Sequence, residues 1–307
     1  MSTLFAHFFE KINQISPLEH DFTEGLEAIA LKPKTLYFRG KLPKNVVKTN
    51  KKRPPVVAIV GSRHNTRYGE EVAYHLAYEL GKRGVVVVSG LAYGIDSVGH
   101  RGCLDAGGTT VAVLGTSISH IYPHEHLGLA RQIVEQGGAI ISEYAPGENP
   151  ITKFSFLERN RIISGLSDIV VVVEAAERSG SLNTATHAIE QGKEVFAVPG
   201  NITSPYSRGC NRLIREGAYP YTEPADVLRL LFPEEYAEAH QTSKKRGLIG
   251  DNDVETAILT ALGEGLRNGN DVMRERKLPP EVFNRSITLL EIKGRVRSLG
   301  LNNWALC

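Results

Sequence analysis

The chain has 307 residues, 41% of them apolar and 23% charged, with a formal net charge of +2. That is the composition of an ordinary globular protein, with material for one large domain and a small one and no need of covalent staples. Cys103, Cys210 and Cys307 lie far apart without metal-ligand spacing, which excludes a disulfide framework and suits a reduced, cytoplasmic setting.

The opening "MSTLFAHFFEKINQISPLEHD" has no basic start followed by a continuous apolar stretch, so no signal peptide is expected. Residues 1–50 read as a short N-terminal extension, in which "LYFRG" from Leu36 has strand character. The basic connection "KNVVKTNKKRPP" leads out of it. Apolar runs such as "VVVV" at Val85–Val88 fall far short of the ~20 residues that cross a bilayer. A soluble protein without membrane contact is expected.

Residues 51–231 alternate short β-branched runs with longer amphipathic ones. The predicted strands are Val56–Val60, Val85–Ser89, Thr110–Leu114, Ala139–Ser142, Ile169–Val173 and Val195–Val198. They are apolar without alternation, as parallel strands covered on both faces are. Helices are predicted over Tyr68–Lys82, Ile95–Ala106, Leu127–Gln136, Glu158–Leu166 and Leu182–Gln191, several stopping at Gly84, Gly107, Gly137 or Gly192. This repeated β-α order implies right-handed crossovers and an α/β, Rossmann-like, doubly wound, mostly parallel sheet. Residues 232–252 are polar and aperiodic and read as a linker. Residues 253–307 hold three helical stretches and a hairpin pattern, which suggests a small winged-helix-like domain.

In an open parallel sheet, ligands bind outside the carboxyl ends of the strands, where the strand order reverses. The six stretches that follow the strands are rich in Gly and Ser: "GSRHNTRYG", "SGLAYGIDSVGH", "GTSISHIYPHEH", "SEYAPGENPITKFSF", "EAAERSGSLNTA" and "PGNITSPYSRGCN". Glycine lets backbone N–H groups approach a ligand, and the following helix offers its positive end. These loops suit phosphate; the same composition also serves tight turns. The G-x-G-x-x-G fingerprint and the G-x-x-x-x-G-K-[ST] loop are both missing, which disfavours a dinucleotide dehydrogenase and a P-loop ATPase. Ser89, Asp96 and His100 lack the spacing of a nucleophile elbow. Glu143 and Glu174 end two strands and offer a carboxylate pair, with loop capping as the plainer role. "HIYPHEH" invites a metal reading, but no second ligand cluster accompanies it.

The cations carry more. "RNRIISGLSDIVVVVEA" sets Arg159, Asn160 and Arg161 just before a strand buried on both faces, where a fold needs no arginine. Lys153 precedes them and Arg63 follows the first strand, with Tyr144, Phe154 and Phe156 interleaved. Cations that follow phosphates and rings that stack on bases are what a single strand of nucleic acid requires. Against this stands a structural role, with Arg159 and Arg161 salt-bridged to Glu158 or Asp168 and both phenylalanines in the core.

At these loops the sequence resembles the DNA-processing protein A family (DprA, also called Smf). The matching stretches are "VAIVGSR", "VVSGLAYGIDSVGHRGCLDAGGTTVAVLG", "YPHEHLGLARQIVEQGGAIISEYAPG", "RNRIISGLSDIVVVVEA", "SGSLNTATHAIEQGKEVFAVPGN" and "GCNRLIREGA", in the family's order, over about Leu36 to Asp226. The resemblance implies a non-enzymatic, cofactor-free protein that binds single-stranded DNA and loads the recombinase RecA onto it during natural transformation. It also implies a homodimer and a winged-helix-like C-terminal module. Gly61, Ser62 and Arg63 match the family's G-S-R; Arg159, Asn160 and Arg161 its R-N-R; Phe156 the phenylalanine three places before that; and Ser179, Gly180 and Ser181 its S-G-S turn. Lys153 falls where members often carry a basic residue. On this basis Arg63 and Lys153 are expected to contact phosphate and Phe156 to stack on a base, with one of Arg159 and Arg161 open to a mainly structural part.

The chain departs from the family pattern at Leu157, where members have proline, at the added charge of Glu158, at His126 in place of asparagine, and at Gly99 before His100. The alternative is a nucleotide-processing enzyme on a related scaffold. Such enzymes carry P-G-G-x-G-T-x-x-E, whereas the equivalent turn here is "SGSLNTATHAIE". A third reading is an interaction scaffold in which the C-terminal module does the recognising.

Overall fold

The unbroken valine and isoleucine runs lie side by side in one sheet, and their burial explains why they do not alternate. The computed structural model describes residues 11–44, 53–148, 152–235 and 248–306. The chain forms two compact units, Met1–Leu231 and Phe232–Cys307.

The first unit is built on nine strands: β1 (Asn13–Ile15), β2 (Leu36–Gly40), β3 (Val56–Val60), β4 (Val86–Ser89), β5 (Thr110–Val113), β6 (Ala139–Ser142), β7 (Ile169–Val172), β8 (Glu194–Ala197) and β9 (Tyr219–Pro220). Their order across the sheet is β1-β2-β6-β5-β4-β3-β7-β8-β9. All pairs from β6 to β9 are parallel, whereas β1 and β2 add an antiparallel edge on β6. The chain thus winds outward from β3 to β6 and returns to place β7 beside β3, so the order reverses between those two strands. The α/β doubly wound sheet is as expected. Part of the stretch read as an N-terminal extension belongs to the sheet, because Leu36 is buried and Tyr37 to Gly40 pair along Ala139 to Ser142.

Among the described residues, six helices connect the strands and a seventh follows β9: α1 (Arg67–Lys82), α2 (Ile95–Asp105), α3 (Leu127–Glu135), α4 (Lys153–Leu166), α5 (Gly180–Glu190), α6 (Arg208–Arg215) and α7 (Pro224–Leu231). Val56, Ala58 and Val60 face α4 and α5 in a cluster with Ile162, Ile163, Leu166, Leu182 and Ala185. On the opposite face Ala112 and Ile140 pack with Leu104, Leu129 and Ile133. Both faces are therefore dry, as the parallel-strand pattern requires. The helix stops at Gly107 and Gly137 take φ of +69° and +88°, a region in which a side chain is strained.

The largest departure from the expected elements is α4, which starts at Lys153 rather than Glu158. Thr152 caps it by accepting from Ser155 N at 3.1 Å, and the Ser155 side chain reaches back to Thr152. This reciprocal cap converts the stretch read as a loop into the first turn of the helix.

The second unit contains α8 (Asp253–Gly263), α9 (Gly269–Arg276), α10 (Pro280–Ile292) and the hairpin β10 (Val296–Gly300) and β11 (Asn303–Leu306). Its own core joins Ile258, Leu259, Leu262, Val272, Phe283, Ile287, Leu290 and Val296. Lys293 ties the end of α10 to Glu255 at 2.9 Å and Asp251 at 2.8 Å. Of the stretch read as a linker, residues 236–247 lie outside the described residues.

Candidate nucleic-acid interface

A cavity of about 540 Å³ opens between the carboxyl ends of β3 and β7, at the point where the strand order reverses. Its walls come from the turn after β3 (Gly61, Ser62, Arg63), the turn after β7 (Arg178, Ser179, Gly180) and the inner side of α4 (Phe156, Asn160).

The turn after β3 runs against other backbone. A Cβ on Gly61 would lie 2.7 Å from the Ile95 side chain, so the chain can pass there only as glycine. Ser62 accepts from Ile95 N at 3.1 Å through its carbonyl, which fixes the turn to the start of α2. Glu174, buried at the end of β7, accepts from Thr66 N at 2.8 Å and from Thr66 Oγ1 at 2.6 Å. That carboxylate ties the two walls together, the capping role that the sequence allowed it.

Arg63 projects from this turn. Its guanidinium carbon lies 5.7 Å from the centroid of the Phe156 ring, and among the described residues it has no hydrogen-bond or ion-pair partner. Arg178 on the facing wall is also exposed and also without a partner among the described residues. Sequence reasoning did not single out Arg178, although it stands in the quoted "EAAERSGSLNTA".

Between the two arginines comes the N-terminus of α5. Ser179 caps it by accepting from Ser181 N, and its hydroxyl is 2.8 Å from that of Ser181. Asn160 holds this end in place, donating from Nδ2 to Gly180 O and to Asn183 Oδ1, each at 3.2 Å. A helix start with a positive dipole end, sharing one cleft with two guanidinium groups that have no partner among the described residues, is an arrangement suited to an anion.

Arg159 and Arg161 belong to a different arrangement. Arg159 is 4% exposed and donates from one terminal nitrogen to Gly90 O at 2.8 Å and to Val113 O, and from Nε to Asn160 Oδ1 at 3.2 Å. A Cβ on Gly90 would fall 2.5 Å from this guanidinium, so the glycine makes room for it. Burial lowers the Arg159 pKa to about 10, with Asp96 opposing the shift, so the group stays charged at neutral pH. Asp96 in turn accepts from Gly90 N at 3.0 Å, and burial raises its pKa. Arg159 thus clamps the ends of β4 and β5 to α4.

Arg161 forms a two-pronged ion pair with Glu143 at 2.7 and 3.1 Å, joining α4 to the end of β6. Glu143 is the partner, rather than Glu158 or Asp168; Asp168 instead pairs with Arg53 at 2.9 Å. Arg161 has its fork taken up by Glu143, whereas Arg159 also lines the cleft, and its second terminal nitrogen has no hydrogen-bond partner among the described residues. Their place before the buried strand follows from holding strand ends together.

Phe156 is half-buried and lies on Gly115, where a Cβ would be 2.7 Å from its ring, and the Tyr122 ring packs 5.5 Å from it. Phe154 is 73% exposed and so is not core. Lys153 is the first residue of α4, and its side chain lies outside the described residues. His120 and His124 are exposed, while His126 turns inward with Nδ1 2.8 Å from Leu91 O. Among the described residues no group of three His, Cys, Asp or Glu side chains is arranged to hold a metal ion. Ser89 donates to Ile59 O at 2.6 Å and His100 lies against Thr110 Oγ1 at 2.7 Å, so the residues screened as a catalytic set have structural partners.

The model of one protein family, DNA recombination-mediator protein A, matches residues 13–232. Protein Smf of Escherichia coli is 50% identical over 175 residues, which span 57% of this chain and 46% of that protein, less than half of its length. The DNA processing protein DprA of Bacillus subtilis is 40% identical over 228 residues, 74% of each chain. Among solved structures, DprA of Helicobacter pylori, described for its single-stranded DNA binding mode, superposes with a TM-score of 0.61 at 31% identity, over 73% of this chain and 97% of that one. The chain belongs to the DNA recombination-mediator protein A family.

Proposed function

We propose that this member of the family binds single-stranded DNA in the cleft between β3 and β7 and delivers the strand to a RecA-type recombinase. The observation that carries the reading is the convergence of two unpartnered arginines, Arg63 and Arg178, on the N-terminus of α5 beside the Phe156 ring. Phosphate is held by the cations and the helix end, and a base stacks on the ring. Lys153 is proposed as a further phosphate contact. Gly61, Ser62, Ser179, Gly180 and Ser181 bring backbone close to the strand, and Asn160 orients the helix end. Asp96, the acidic residue among those lining the cleft, is taken up by structural bonds, as are Glu143 and Glu174 at the ends of β6 and β7, which supports binding over bond cleavage.

The family's description as recombination mediators supports delivery to RecA. The order helix, β-bridge at Asn268, helix, helix, hairpin supports a winged-helix-like reading of the second unit. Homodimer formation is part of the same proposal and is read by light scattering at two concentrations.

The test is binding of a fluorescent oligonucleotide, single-stranded and duplex, to the wild type, Arg63→Ala and Arg178→Ala, with circular dichroism as the check on folding. Each variant is expected to lose affinity for the single strand while melting like the wild type. With about three phosphate contacts, wild-type affinity falls roughly tenfold to twentyfold between 50 and 200 mM salt, at a slope near −0.7 per contact. Unchanged binding by both variants places the strand elsewhere. RecA delivery is read as faster filament assembly on single strands precoated with a single-strand-binding protein, and no acceleration removes that part of the proposal.

A further inference from the structure

The second unit carries a helix face that its own core does not use. In α10, Phe283, Ile287 and Leu290 are buried in that core. Val282, Leu289 and Ile292 lie on another side of the same helix and are 37%, 40% and 77% exposed. With Arg285 they follow one another at spacings of three, four and three residues, which places all four in one row along the helix. That repeat is the seam by which one helix packs against a second.

Arg285 stands inside the row, exposed and without a hydrogen-bond or ion-pair partner among the described residues. Glu281 precedes it by four residues, a spacing at which the two charges can pair across one helical turn, yet no ion pair joins them. The row is therefore three aliphatic side chains around one unsatisfied cation. We propose that it is a docking seam for a helix of a partner protein that presents apolar side chains at heptad spacing and a carboxylate opposite Arg285. The proposal is independent of the single-strand reading of the first unit.

The composition of the row decides the occupant. A helix that enters the major groove offers polar and basic side chains to base edges and phosphates. The outward side of α10 offers aliphatic ones instead, with Glu281 and Glu291 exposed toward its two ends, where phosphate would be repelled. Glu291 also accepts from Ser298 N at 3.2 Å and so serves the join to the hairpin. A second copy fits poorly as well. Pairing two copies of the row in parallel sets Arg285 against Arg285, and pairing them antiparallel over its whole length sets Arg285 against Leu289. An antiparallel register that brings Glu281 to Arg285 centres on residue 283 and leaves Leu289 and Ile292 uncovered. The charge calls for a complement that this helix does not itself supply. On a partner helix with a carboxylate at that place, apolar residues close over the aliphatic stem of Arg285 while its guanidinium meets the acid. The row is roughly 15 Å long, which suits a brief contact rather than a permanent one.

The test uses the full chain and two fluorescein-labelled, three-heptad amphipathic peptides with leucine at the a and d positions. One carries glutamate and the other lysine at the central d position, and binding is read by fluorescence anisotropy. The wild type is expected to bind the glutamate peptide about tenfold more tightly than the lysine peptide, and Arg285→Glu to reverse that order. Leu289→Asp is expected to bind neither. Should Leu289→Asp fail to fold, the reversal in Arg285→Glu, a change at an exposed side chain, still decides the matter. No binding by the wild type, or equal binding of the two peptides, overturns the seam. A fall from dimer to monomer in Leu289→Asp, read by light scattering, overturns it in favour of a second copy. Loss of duplex affinity in Arg285→Glu with no change in peptide preference overturns it in favour of DNA.

Discussion

The two arginines of "RNR" and the two arginines of the flanking turns differ in one respect that decides their parts. Arg159 and Arg161 stand next to the most regular strand of the sheet and draw the eye in the sequence, yet Gly90, Val113 and Glu143 take up most of their donors. Arg63 and Arg178 occur singly in short turns, and both face the cleft without a partner among the described residues. A cation inside a fold is held there by the acceptors it satisfies, because an unpaired buried charge costs several kcal/mol. A cation kept for a ligand has to be left unsatisfied by the protein. The difference teaches that an arginine available to a ligand is recognised by the partners it lacks.

Substitution separates the two pairs along a scale of stability. Arg159→Met is expected to cause the largest loss, about 3–5 kcal/mol by urea unfolding, because it strands Asp96 and two carbonyl oxygens in a dry site. The Arg161–Glu143 pair is less deeply buried, with 11% and 15% side-chain exposure. A double-mutant cycle with Arg161→Ala and Glu143→Ala is expected to give a coupling of about 1–3 kcal/mol. A near-zero coupling would reclassify Arg161 as a free cation.

Acidification tests the same buried layer in another way. His100 is fully buried, and burial lowers its pKa from 6.5 to about 3. Between those two values the unfolded chain carries a proton on this ring and the folded chain does not. Stability from this group is therefore complete above pH 6.5 and falls by about 1.4 kcal/mol per pH unit below it. Unfolding free energies measured from pH 7 to 5 in the wild type and in His100→Gln are expected to show a shallower slope in the variant. Equal slopes would mean that the ring is protonated in the fold.

Smallest in stability are Arg63→Ala and Arg178→Ala, expected within about 0.5 kcal/mol of the wild type, as for exposed side chains without partners. Their effect belongs to binding alone.

Much of the sheet was legible because a strand covered on both faces has to be apolar at every position, and Val56–Val60 and Ile169–Val172 leave no other reading. The glycine stops were legible for the same local reason. The start of α4 was not, since its cap depends on a reciprocal bond between Thr152 and Ser155 within a stretch that otherwise looks like loop. The two-residue β9 and the three-residue β1 are too short to show a pattern. At the site, the turns that form the cleft followed from the rule of strand ends, and Phe156 and Arg63 were found with it. The fate of Arg159 was hidden because its acceptors lie 69 and 46 residues away in sequence. Arg178 carried a usable signal, being a cation in the turn directly after the strand at the reversal point, but the doublet nearby outweighed it.

The central claim is that the turn arginines face the DNA and the doublet holds the fold. It is tested most directly by the salt dependence of single-strand affinity in the wild type, in the Arg63→Ala/Arg178→Ala double variant and in Arg161→Ala. The account predicts that the slope of log affinity against log salt drops from about −2 to about −0.7 in the double variant, at unchanged melting temperature, and stays at the wild-type value in Arg161→Ala. An unchanged slope in the double variant, with the drop in Arg161→Ala instead, would contradict it.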